Sequence, residues 1–431
     1  MVLLTEERES RLEIPNSYDD KSMRTALNAR VALRAPAVSL ASQVTGLVQL
    51  VLILARAGTN QSTDAYFYLF NVGLVPIQCI IVGMMYPSLL NDRGMSRAGL
   101  ARIRWLTPAL GLVFVTGGAL WLTERDRLPV DLIALAVLSA LNALVQALLW
   151  FKAVAAQAGG NALWISGVAL PANILAVVAL TYPWKSPPAA MTIMVGALLV
   201  GNIGLLVAMT RRKVGTAVLD SVPLVAPSRS GPFWFLGKST VGYLGQIFLQ
   251  SLAVLLPASG VTFLNIGVKI VSSVSATFVN ATMPSLVHRS TDSPHSARQF
   301  LRLTVVVVSL GGAALVAGTW IIWPSLLRPA IVVALWLIAS SASAIAAQMS
   351  YRFLTPQMST RTILVVTTVV ALTALSSRGT GFDLTVALCA YATIDAASAL
   401  LLLLPLRDRT MSLLLGGVVA GLASTWITAY L

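Results

Sequence analysis

The chain has 431 residues, 57% hydrophobic and only 11% charged, where a soluble globular protein carries about 25% charged residues. That balance excludes a water-soluble protein, and repeated apolar runs of about 20 residues make the chain a polytopic membrane protein. The net charge of +14 would suit nucleic acid, but the basic residues sit mostly in alternate loops, which excludes that partner and points to membrane orientation.

Residues 1–35 mix both signs, with Glu6, Glu7, Arg8, Asp19 and Asp20, and end basic with Arg24, Arg30 and Arg34. They read as a cytoplasmic tail, mobile or lying on the surface. No cleavage pattern follows the first apolar run, so no signal peptide is expected. Membrane spans are expected at 36–57, 64–90, 105–123, 129–156, 161–182 and 189–210. After a loop they resume at 233–256, 261–287, 300–323, 329–350, 361–376, 383–405 and 411–430. This makes an all-α protein of about 13 spans, within a range of 12 to 14. Its parts are a six-helix lobe over 36–210, a cytoplasmic linker over 211–232, a second six-helix lobe over 233–405 and an extra helix in 406–431. With the N-terminus cytoplasmic, 22 of the 30 Lys and Arg residues fall in the tail and the inner loops. This sets the expected orientation in the cell membrane.

The two halves look like copies. Shifting one by 197 residues brings Ser42 onto Ser239, Leu47 onto Leu244, Gln49 onto Gln246 and Pro87-Ser88-Leu89 onto Pro284-Ser285-Leu286, with ten identities over 48 positions. Six spans separate the copies, so both insert the same way. Such parallel repeats are related by an axis along the membrane normal, with the substrate path between them.

Polar residues inside the spans carry the functional signal. In the first span Ser39, Ser42, Gln43, Gly46 and Gln49 recur at steps of three and four, on one helical face. In the seventh, Ser239, Gly242, Gln246 and Gln250 make the corresponding face, with Lys238 near its inner end. Asn71 and Gln78 lie in the second span, Asn265, Lys269 and Asn280 in the eighth, Asn142 and Gln146 in the fourth. Such faces line a cavity or pack helices together. Lys269 stands out, because a lysine deep in a span costs about 2.5–3.5 kcal/mol on insertion scales. It faces a wet cavity or snorkels to the interface. Asp395 is the one acidic residue deep in a span, and reads as a proton or sodium coupling site or as a hydrogen-bonded structural residue. Cys79 and Cys389 read as packed thiols, and His288 and His295 lack metal-ligand company. No metal or cofactor is expected. The run Gly231-Pro-Phe-Trp-Phe-Leu-Gly237-Lys238-Ser239 imitates a phosphate loop but has five residues between its glycines where that motif has four, so no nucleotide is expected. The outer acids Glu124, Asp126 and Asp131 are too sparse for acid–base chemistry, and an enzyme is not expected.

The runs Ser39-Leu-Ala-Ser-Gln43-Val-Thr-Gly46-Leu-Val-Gln49, then Gly58, then Thr63-Asp64-Ala65-Tyr66-Phe67, resemble the opening of the MurJ/MviN-type lipid II flippases. These belong to the wider superfamily of multidrug, oligosaccharidyl-lipid and polysaccharide exporters. Leu264-Asn265 through Lys269 resembles the start of that family's eighth helix, where a cavity arginine is expected. The chain departs from the pattern at Gln43, Gln49 and Asn71, where the family carries basic residues. The resemblance implies a two-lobed transporter that flips a lipid-linked glycan precursor, lipid II-like or a polysaccharide repeat unit, for cell-wall or peptidoglycan biogenesis. The expected substrate-binding residues are Lys269, Asn265, Gln246, Gln250, Gln43, Gln49, Asn71 and Lys238, with Asp395 as the ion-coupling candidate. The expected partners are the anionic lipid-linked glycan, membrane lipids and a proton or sodium ion. The alternatives are an ion-coupled exporter of small amphipathic molecules and a non-transporting cell-wall scaffold.

Overall fold

A computed structural model describes residues 18–90, 95–223, 231–257, 259–275, 293–353, 356–377, 382–403 and 409–430. The main helices are α1 (Tyr18–Arg56), α2 (Gln61–Pro76), α3 (Arg97–Glu124), α4 (Ile133–Ala158), α5 (Leu170–Thr181), α6 (Pro187–Arg211) and α7 (Gly231–Ala253). They continue as α8 (Gly260–Val274), α9 (Ser293–Ile322), α10 (Leu327–Phe353), α11 (Pro356–Ser376), α12 (Leu384–Leu403) and α13 (Arg409–Tyr430). No strand occurs among the described residues. Nine described stretches, from Arg34–Arg56 to Leu384–Leu402, are long and apolar enough to cross a membrane, and Gly260–Val274, Ile363–Ser376 and Met411–Trp426 are shorter apolar helices. Apolar side chains also cover the outer surface, with Ile321 75% and Leu413 78% exposed. An apolar surface of this extent is stable in hydrocarbon, not in water. The chain is a multi-pass membrane protein.

Ordinary capping chemistry sets several boundaries. The Asn60 side chain accepts from the Ser62 and Thr63 backbone N–H groups, and the Thr63 hydroxyl accepts from the Asn60 N–H, which closes a capping box on α2. Ser96 caps α3 and Ser186 caps α6, the latter followed by Pro187 and Pro188 in the first turn, where no N–H is needed.

Three elements differ from the sequence expectation. Helix α1 starts at Tyr18, inside the stretch read as a tail, because residues 23–35 contain no glycine or proline to stop it. The fifth span is not continuous. It begins as a single turn, Leu163–Ser166, breaks over residues 167–169 and resumes as α5, because Pro171 has no N–H to donate back to Gly167. The second span changes pitch. After Pro76 it runs as a π-helix over Ile77–Met85 and returns to an α-turn at Tyr86–Leu90.

The packing reproduces the repeat. Helix α1 packs on α5 as α7 packs on α11, α3 on α4 as α9 on α10, α4 on α6 as α10 on α12, and α5 on α6 as α11 on α12. Six helices separate the members of each correspondence. Helix α7 ends at Ala253, the residue that the 197-residue shift pairs with Arg56 at the end of α1. Helix α13 packs outside this scheme, against α12 and α10. The two halves meet through the π-helical stretch Ile77–Met85 on α7, through α2, which touches α7 and α8, and through the contact of α1 with α8. Asn280 and Pro284-Ser285-Leu286, singled out in the sequence, lie outside the described residues.

Candidate functional site

A cavity of about 510 Å³ lies between the halves. Helices α1, α2 and α4–α6 supply one wall, and α7, α8 and α12 the other. Gln43, Gln49, Asn71, Gln246, Gln250, Asn265 and Lys269 all line it, so seven of the eight substrate-site candidates from the sequence are brought together. The side chain of the eighth, Lys238, lies outside the described residues.

Lys269 extends from α8 toward the opposite half. A methyl group built on Gly46 of α1 would lie 2.9 Å from its Nζ and 3.2 Å from the Asn173 Nδ2. Only glycine at position 46 leaves that space. No carboxylate pairs with the amine among the described residues. One turn earlier, Asn265 accepts from the Asn71 amide across the gap and donates to the Val261 carbonyl at 2.8 Å. Gln250 is buried, and its Oε1 has no partner among the described residues. Gln49 is buried too, with its amide 3.5 Å from both the Tyr66 hydroxyl and the Met194 sulfur, at the outer limit of hydrogen bonding. Gln246 contributes its backbone carbonyl, which accepts from the Tyr391 hydroxyl at 2.7 Å.

The sequence reading missed the aromatic part of the lining. Tyr66, Phe67, Phe70, Trp150, Tyr243 and Tyr391 stand among the amides. Aromatic residues in apolar spans carry no periodic signal that separates cavity from core. The broken fifth span also contributes, through Val168, Ala169, Ala172 and Asn173. Asn142 is committed elsewhere, since it accepts from the buried Asn202 at 2.8 Å and ties α4 to α6. Asp395 does not line the cavity. It accepts from the Trp336 indole at 2.7 Å, between α12 and α10, one turn from Tyr391.

The halves touch on both sides of the cavity. At the end where α2 and α8 begin, the Asp64 carboxylate accepts from the Ser259 N–H at 3.0 Å, the Thr262 N–H at 2.8 Å and the Thr262 hydroxyl at 2.6 Å. Ser259, the residue before α8, makes no side-chain cap of its own. A helix start leaves open N–H groups and a partial positive charge. Here a carboxylate from the other half supplies the cap. The Tyr68 hydroxyl meets the Ser251 hydroxyl at 2.8 Å, and Arg127 donates to the Leu256 carbonyl at 3.2 Å. At the opposite end the Cys79 thiol donates to the Ser239 carbonyl at 3.8 Å, and the rest of the contact is by shape. Gly83, in the π-helical stretch, packs on Ser239 of α7 so closely that an added methyl would lie 2.0 Å from its hydroxyl oxygen and 2.2 Å from its Cβ.

No protein-family model matches the chain. No curated protein matches it in sequence. Solved structures match its fold. The lipid II flippase MurJ in an inward closed conformation has a TM-score of 0.57 at 10% identity, over 91% of this chain and 92% of that one. A structure described as protein A has a TM-score of 0.57 at 12% identity, over 94% of this chain and 100% of that one. A mutant of the MATE transporter VcmN from Vibrio cholerae is more distant, at a TM-score of 0.48 and 13% identity, over 91% of this chain and 100% of that one. The chain has the fold of MurJ.

Proposed function

We propose that the protein is a transporter that flips a lipid-linked, anionic glycan precursor across the cell membrane by alternating access. The observation that carries this reading is the Lys269 amine, without a carboxylate partner among the described residues, in a cavity that amides and aromatic rings line together. An unpaired ammonium on the wall of a half-buried cavity attracts a phosphate. Amides at Gln43, Gln49, Asn71, Gln246, Gln250 and Asn265 offer donors and acceptors to sugar hydroxyls, and Tyr66, Trp150 and Tyr391 offer flat apolar faces. The likeness to MurJ, a lipid II flippase by its description, supports the same class of cargo.

In this mechanism the six-helix lobes move as bodies about the cavity, as parallel repeats do. The end closed by Asp64 faces outward and the end closed by Gly83 faces inward, with the N-terminus cytoplasmic. The arginines at the far ends of α3 and α6, Arg97, Arg102, Arg104, Arg211 and Arg212, support that orientation. Opening inward separates Gly83 from Ser239 and admits the headgroup. Opening outward breaks the three Asp64 hydrogen bonds. No covalent step is involved, so the protein is not an enzyme. Lys238, near the inner end of α7, meets the phosphate first.

A second reading, ion-coupled export of small amphipathic molecules, draws on Asp395, a carboxylate in contact with Trp336 and one turn from the cavity residue Tyr391. A proton or sodium ion there would drive either kind of transport. Native mass spectrometry after gentle purification separates the two. We expect a retained lipid with the mass of a polyprenyl phosphate glycan, lost in Lys269→Gln. A wild type that retains no such lipid, with drug efflux that depends on Asp395, would establish the exporter instead.

A further inference from the structure

A second cavity, of about 410 Å³, lies at the end of the N-terminal half where α3 begins and α4 and α6 finish. It shares no residue with the central one. Helix α4 divides them, with Gln146, Leu149 and Trp150 on the central cavity and Leu148, Phe151 and Lys152 on this one. Three cations line it: Arg97, Arg104 and Lys152. Arg97 is occupied, since its guanidinium donates to the backbone carbonyls of Val222 and Asp220. Arg104 and Lys152 have no carboxylate partner among the described residues. The one acid in the lining, Asp220, is exposed.

Arg104 stands seven residues into α3 and Lys152 six residues before the end of α4. At 1.5 Å per residue both lie about 10 Å in from the helix ends, on antiparallel neighbours. Two like charges held side by side at the edge of a low-dielectric region repel, and an anion between them removes the penalty. The Arg104 guanidinium lies 5.6 Å from the ring centre of Trp105, which is 68% exposed, as tryptophans at the level of lipid headgroups are. The wall beside the cations is apolar, with Leu100 and Leu206 nearer the helix ends, Phe151 level with Lys152 and Leu148 about a turn deeper. A free phosphate needs only the cations. A phosphate that carries hydrocarbon chains uses both parts.

We propose that this cavity binds the phosphodiester headgroup of an anionic membrane phospholipid, with Arg104 and Lys152 on the phosphate and an acyl chain along the leucines and Phe151. The site is independent of the transported cargo.

The test titrates phosphatidylglycerol against the purified protein, read by native mass spectrometry, with phosphatidylcholine and inorganic phosphate as separate arms. Phosphatidylglycerol is expected to bind in preference to phosphatidylcholine, with no competition from inorganic phosphate. Arg104→Gln with Lys152→Gln weakens binding roughly tenfold to thirtyfold, the effect of two lipid-facing cations. Arg102→Gln, an exposed cation outside the cavity, leaves it unchanged. Should the double variant not fold, Arg104→Gln alone, on an exposed side chain, gives a several-fold loss. Equal phosphatidylglycerol binding in wild type and Arg104→Gln overturns the site. Inorganic phosphate that competes fully, with the same dependence on Arg104, overturns the lipid as its source.

Discussion

Asp64→Ala tests the cross-lobe cap. It removes three hydrogen bonds, from the Ser259 N–H at 3.0 Å and from the Thr262 N–H and hydroxyl at 2.8 and 2.6 Å. A hydrogen bond to a charged group nets about 1.5–3 kcal/mol, and three on one carboxylate do not add in full. When the lobes part, water reaches the open N–H groups of α8, so the loss falls on the closed arrangement. A loss of about 3 kcal/mol shifts the balance between closed and open at this end by roughly 150-fold. The assay replaces Cys79 and Cys389 and places one cysteine at Gln250, buried in the cavity wall. A charged maleimide added from the Asp64 side then reports opening. Asp64→Ala should raise the labelling rate by at least an order of magnitude. Asp64→Asn should fall between, because its amide oxygen still accepts. An unchanged rate in a variant with unchanged melting temperature would refute the idea that this carboxylate holds the end shut.

Gly83→Ala drives a methyl group into Ser239 and should open the opposite end, so the same reporter reacts faster from that side; a rate equal to the parent's would contradict it. Gly46→Val fills the space the Lys269 amine occupies and should reduce transport as strongly as loss of the amine, with little change in melting temperature. Full transport in that variant would show that the amine is not used where it lies. Asn202→Ala leaves the buried Asn142 oxygen without its donor, at a cost of about 1–3 kcal/mol, and should lower the melting temperature by several degrees, about 2–4 °C per kcal/mol. No shift would mean that the pair does not tie α4 to α6.

Much of the architecture is readable because a bilayer imposes it. A helix must stay apolar for the width of the membrane, so Leu384–Leu402 or Val130–Ala158 cannot hide in the sequence. The cavity was readable for the same reason. Gln43 and Gln49, or Gln246 and Gln250, are conspicuous among leucines and valines; the second pair, four apart, shares one helical face, and the first is joined through Gly46 at steps of three. Lys269 was the strongest signal because hydrocarbon tolerates it least. What stayed hidden depends on contacts between distant residues. Asp64 suits the first turn of its own helix, so nothing in the local pattern showed that it caps α8, 195 residues away. Tyr66 and Tyr391 carry no pattern that sets a cavity residue apart from core, and only the packing places them on the cavity. The break before α5 did have a sign, Gly167 followed by Pro171, which a count of apolar residues passes over. The π-helical stretch after Pro76 had none. Ser239, on a polar face that suits either lining or packing, makes the close contact with Gly83.

The most direct measurement is lipid translocation in sealed vesicles that contain the purified protein, with a fluorescent polyprenyl phosphate glycan as cargo, comparing wild type with Lys269→Ala. The account predicts rapid transfer by the wild type and transfer near the protein-free rate in the variant. Transfer by Lys269→Ala at the wild-type rate would contradict it.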